Sequence, residues 1–147
     1  YSLFWIVTFF TIGHTFSLFI STYGIYNPDL NIIEFLIPIT ILFSAVSNLF
    51  LKVQVKKSSL SYLVSLLFGL IHGFGFAGFY DQITFSDNIE FTPLIGFTIG
   101  VEIAQIIIVF FVLLLSTILN LRSNFFSKNF IKIMSILICL LTILIFF

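Results

Sequence analysis

Five apolar runs, each about 20 residues or longer and almost free of charge, set the terms on which this chain can fold: residues 2–23, 32–51, 60–80, 91–119 and 130–147. A helix rising about 1.5 Å per residue needs about 20 apolar residues to cross the roughly 30 Å hydrocarbon core of a bilayer. Each run meets that length. Phe, Ile and Val are abundant, which on propensity alone would suit strands. Membrane strands, however, read as alternating segments of about 10 residues, and these runs are longer and do not alternate. The expectation is an all-α, polytopic transmembrane bundle with five helices visible. Composition agrees: only 8% of the residues are charged and 60% are hydrophobic, with a mean hydropathy of +1.23. A soluble domain carries roughly 25% charged residues.

The connections are short and polar. GIYNPDLN (24–31) carries the turn-forming residues Asn27, Pro28 and Asp29. KVQVKKSS (52–59), DQITFSDNIE (81–90) and NLRSNFFSKN (120–129) link the later spans. There is no soluble domain and no strong internal repeat, so residues 1–147 read as a single transmembrane helical domain. All the basic residues fall on alternate connections: Lys52, Lys56 and Lys57 after the second span, and Arg122, Lys128 and Lys132 around the start of the fifth. The other two connections hold only acids: Asp29, Asp81, Asp87 and Glu90. By the positive-inside rule the basic connections are cytoplasmic. Tyr1, Trp5, Tyr23, Tyr26 and Tyr80 lie near span ends, where amphipathic rings anchor at the interface. The single cysteine, Cys139, excludes an intramolecular disulfide. Zero net charge and the lack of a basic patch interleaved with aromatics give no sign of a nucleic-acid partner.

Against this background three ionisable groups stand out at membrane depth: His14, His72 and Glu102. Counted from the outer span ends, they fall roughly 12–17 Å deep, in one layer. A charged group at the centre of a spanning helix costs about 2.5–3.5 kcal/mol on the insertion scale, so such groups face the bundle and have partners. His72 sits in FGLIHGFGFAGF, where Gly69 and Gly73 form a GxxxG step extended by Gly75 and Gly78. Gly96 and Gly100 repeat that spacing just before Glu102. Small residues let backbones approach, and a glycine face on the third span meeting one on the fourth would bring His72 towards Glu102. Gln105 follows one turn on. Glu34 stands near the outer start of the second span. Thr8, Thr11, Thr15 and Ser17 surround His14, either lining a polar path or bonding to carbonyls of their own helix.

Imidazole nitrogen suits Zn, Cu, Fe and Ni, and carboxylate oxygen is a compatible partner. Metal binding needs neutral imidazoles and an ionised carboxylate. Burial favours the first, and a divalent ion offsets its effect on the second. An incomplete set of ligands suits transport, because a full cage would not release the ion. The candidate metal residues are therefore His14, His72, Glu102, Gln105 and Glu34. For each there is a plainer role: a hydrogen-bonded packing histidine, an interhelical amide, or, for Glu34, a surface anchor. The glycines read first as packing devices, and most of the phenylalanines as lipid-facing bulk. HExxH, GxSxG and P-loop motifs are absent from the sequence, and no enzyme activity is expected.

Four blocks, GHTFSLF (13–19), IEFLIPITILFSAVSN (33–48), FGLIHGFGFAG (68–78) and GFTIGVEIAQ (96–105), resemble in that order the HupE/UreJ family of bacterial membrane proteins, in its small, poorly characterised branch. The likeness covers roughly residues 1–110, and the fifth span matches only in being apolar. It implies a multi-pass protein of the bacterial inner membrane, with about six helices in the full-length protein and one of them, bearing a His/Asp-rich motif, ahead of Tyr1. It also implies a nickel permease that accepts cobalt, with His72 and Glu102 as the best-matched site residues and His14 and Glu34 fitting the branch pattern. The nickel-linked members carry a denser histidine motif than the lone His72.

The function expected from residues and resemblance together is a passive permease for a divalent transition-metal ion, using a mid-membrane His/Glu site. The alternatives are a haem-binding membrane protein, with the two histidines as axial ligands, and a non-transporting assembly or scaffold subunit. No tightly bound cofactor is expected beyond the transported ion. The expected partners are the lipid bilayer and the metal, with a homo-oligomer or metalloenzyme maturation proteins left open.

Overall fold

The computed structural model describes residues 2–50, 59–83, 91–122 and 124–146. They form five α-helices: α1 (Ser2–Thr22), α2 (Leu30–Phe50), α3 (Ser59–Ile83), α4 (Phe91–Arg122) and α5 (Asn124–Phe146). All five are long and apolar enough to cross a membrane, and there is no strand among the described residues. In hydrocarbon every backbone N–H and C=O must be satisfied within the protein, and a helix does this segment by segment. The protein is a multi-pass membrane protein of all-α class.

The α1–α2 turn follows from its sequence. Gly24 has φ +67°, a left-handed conformation that suits a residue without Cβ. Gly24 N donates to Ser21 O at 2.9 Å and Ile25 N to Ile20 O at 3.0 Å, which together close α1 as a Schellman motif. Asp29 then caps α2: its Oδ1 accepts from Asn31 N at 2.9 Å, and its carbonyl accepts from Ile32 and Ile33. Pro38, inside α2, has no N–H to give the Glu34 carbonyl one turn earlier.

At the other end of the chain, the connection expected over residues 120–129 is largely helical. α4 continues to Arg122 and α5 begins at Asn124. The stretch is polar, but no glycine or proline, the strongest helix breakers, follows Gly100. The basic residues Lys52, Lys56 and Lys57, and the acidic Asp87 and Glu90, lie outside the described residues.

The chain groups into two compact units, Tyr1–Ile37 with Lys57–Gln105, and Pro38–Lys56 with Ile106–Phe147. In the first, α1 and α3 pack closely. A Cβ on Gly13 would strike the Leu66 carbonyl, one on Gly69 the Phe10 carbonyl, and one on Gly73 the His14 carbonyl and Ser17 Oγ. Ser65 Oγ, on α3, donates to Ile6 O of α1 at 2.6 Å. The α3 glycine face thus meets α1, not α4: among the described residues nothing lies within 4 Å of a Cβ built on Gly96 or Gly100. Beside this seam Leu18, Ala77 and Leu94 form the buried core, with Phe19, Tyr23, Phe76 and Phe97 packed on it. In the second unit the buried residues include Ala45, Ser135 and Thr142. The last two are seven apart, hence on one face of α5.

Candidate functional site

The α1–α3 seam determines where the two histidines fall. Gly73 rests against the His14 backbone, so His72, its neighbour on α3, comes alongside α1. His14 and His72 line one cavity of about 390 Å³ with Phe10, Ile37, Gly75, Phe76 and Val101. The lining is otherwise apolar. His14 is 5% exposed, and its ring lies 6.2 Å from Phe10 and 6.1 Å from both Phe76 and Phe97, centroid to centroid. Phe10 also lies 5.4 Å from the His72 ring, so one aromatic side chain touches both imidazoles.

Hydrogen bonding distinguishes the two rings. His72 Nδ1 is 2.8 Å from the Phe68 carbonyl. A carbonyl oxygen only accepts, so Nδ1 carries the proton and, in the neutral ring, Nε2 carries the lone pair. His14 Nδ1 is buried and has no hydrogen-bond partner among the described residues. Buried polar atoms are rarely left unpaired, and each exception calls for a reason. A ligand nitrogen waiting for its ion is one such reason.

Glu102 does not share this cavity. Consecutive helical residues point about 100° apart, so Val101 lines the histidine cavity while Glu102 faces another. This second cavity, about 470 Å³, is lined by Thr8, Thr11, Ile12, Thr15, Phe16, Phe19, Thr98 and Glu102. Gln105 Oε1 accepts from Thr11 Oγ1 at 2.9 Å, tying α4 to α1. Glu34 is exposed near the start of α2 and lines neither cavity. Of the five residues picked out from sequence, the structure brings His14 and His72 together and sets the other three apart from them. Among the described residues no group of three or more His, Cys, Asp or Glu is placed to hold a metal ion.

Two further features bear on the site. Phe10 and Phe76 are among the minority of phenylalanines that are not lipid-facing bulk: they line the cavity with the imidazoles. Each stands four residues from a histidine, and that spacing places both on the histidine's own helix face. Gly13, which the GxxxG count left out, stands four before Ser17 and completes the small surface of α1.

A family model described as HupE / UreJ protein matches residues 1–147, the whole chain. Neither the curated proteins nor the solved structures give a match.

Proposed function

The chain belongs to the HupE/UreJ family, and from that membership together with the paired imidazoles we propose that it is a passive permease for a divalent transition-metal ion of the nickel or cobalt class. The observation that carries the proposal is that His14, whose buried Nδ1 has no hydrogen-bond partner among the described residues, lines one cavity with His72. His72 is held with Nδ1–H on Phe68 O, which leaves Nε2 to bind. The ion passes between two neutral nitrogen ligands, a donor type suited to nickel and cobalt. Two protein ligands leave the remaining positions to water, so the ion is held but not trapped. Phe10 and Phe76, which line the cavity, bring aromatic rings near the cation and offset part of its lost hydration. Glu102, one residue along α4 from the cavity wall, lends negative charge at a distance and does not bond to the ion. Gln105 holds α4 against α1, and exposed Glu34 gathers cations near one end of the route. Movement is down the membrane potential, worth about 2.3 kcal/mol per charge per 100 mV.

The test is uptake of Ni²⁺ and Co²⁺ into liposomes holding the full chain. The expected result is uptake above that of empty liposomes, lost in His14→Ala and in His72→Ala while circular dichroism shows the helices intact. Wild-type uptake no greater than that of empty liposomes would overturn the proposal. So would unaltered uptake in the two variants.

A further inference from the structure

The second cavity has a chemistry of its own. Thr8, Thr11 and Thr15 are spaced three and four apart, so they form one stripe on α1. Thr98 and Glu102, four apart, form the facing stripe on α4, and all five line the one cavity. A hydroxyl has one proton to donate and two lone pairs. Here the protons are already in use. Thr8 Oγ1 donates to Phe4 O at 3.0 Å, Thr15 Oγ1 to Thr11 O at 2.8 Å, and Thr98 Oγ1 to Leu94 O at 3.0 Å. Thr11 Oγ1 has two acceptors in reach, Val7 O at 3.1 Å and Gln105 Oε1 at 2.9 Å. What the threonines have left for the cavity is lone pairs. Glu102 adds carboxylate oxygens, and no protein donor among the described residues bonds to it.

The geometry points to a binding site for a monovalent alkali cation between α1 and α4, formed by Glu102 with the hydroxyl oxygens of Thr15 and Thr98, which line the same stretch of the interface; Thr8, two turns along α1 and about 10 Å from Thr15, lies beyond reach of the same ion. Three arguments select that ligand. All the donors are hard oxygens, which suit hard cations and contrast with the imidazole nitrogens of the other cavity. One carboxylate and one monovalent ion make a neutral unit, whereas a divalent ion would leave a net charge at membrane depth. A proton would neutralise Glu102 but leave the free lone pairs of the threonine oxygens unused. The site is separate from the histidine pair and does not depend on that pair carrying metal.

The experiment is thermal unfolding of the full chain in detergent at fixed ionic strength and pH, with choline chloride replaced stepwise by sodium or potassium chloride. A site that binds only the folded protein raises Tm with ion concentration. The expected result is a saturable rise with at least one alkali ion, absent in Glu102→Gln and reduced in Thr15→Val/Thr98→Val, which keeps the volume and removes two oxygens. Circular dichroism checks that both variants are folded, and if Glu102→Gln fails to fold the threonine double variant decides. The His14→Ala/His72→Ala variant should keep the full rise, so loss of metal uptake and loss of alkali binding are told apart. No rise in wild type, a rise undiminished in the threonine variant, or one that follows only the pH of the buffer would overturn the assignment.

Discussion

The two cavities of the first unit use the same pair of helices, α1 and α4, yet offer opposite chemistries. One is walled by aromatic rings and holds imidazole nitrogens; the other holds hydroxyl and carboxylate oxygens. The difference comes from helical phase. Thr11 and Thr15 lie three before and one after His14, and Glu102 follows Val101 directly, so a step of one residue moves a side chain from one cavity to the other. Sharing a depth in the bilayer therefore does not make residues partners. His14, His72 and Glu102 lie in one layer by count, but only the two histidines share a wall.

That comparison is broken most severely at the α1–α3 seam, which brings the two histidines to one cavity. Gly73→Ala places a methyl group against the His14 carbonyl, and backbone overpacking of this kind costs about 1–3 kcal/mol. Thermal unfolding in detergent should show a clear fall in Tm, whereas Gly100→Ala, which meets nothing within 4 Å among the described residues, should leave Tm unchanged or raise it slightly.

Next in size, His14→Ala should weaken Ni²⁺ binding by at least about tenfold, measured by isothermal titration calorimetry. Glu102→Gln should leave that affinity within about threefold, because it loses charge at a distance and no bond. Equal losses in the two variants would mean that the cavities work as one site.

The smaller effects sharpen the picture. Asp29→Ala removes the α2 cap and should cost about 1 kcal/mol, with Ni²⁺ affinity unaltered, since Asp29 touches neither cavity. Thr11→Val removes the bond to Gln105 and should cost about 0.6 kcal/mol, the average for an interhelical hydrogen bond in a membrane, seen as a slight fall in unfolding midpoint.

The five spans were legible because the membrane acts on each segment separately: length and apolarity are local properties. The α1–α2 turn was legible for a similar reason, with Gly24 and Asp29 both inside GIYNPDLN. Between α4 and α5 polarity suggests a loop over 120–129, but without glycine or proline there the helices extend to Arg122 and from Asn124. Pairing was harder still. A GxxxG step shows that a face is flat but not which neighbour it meets, and α3 had two flat candidates. The choice fell to Gly13 and Ser17 on α1, whose matching small surface receives Gly69 and Gly73. The histidine pair followed from that choice, as did the separation of Glu102.

The most direct test of the paired imidazoles is X-ray absorption at the nickel edge on the full chain loaded with one equivalent of Ni²⁺. Two imidazole nitrogens on the metal are expected in wild type and one in His14→Ala, with water or buffer oxygen in the vacated position. A wild-type spectrum without imidazole, or one that His14→Ala and His72→Ala leave unaltered, would contradict the account.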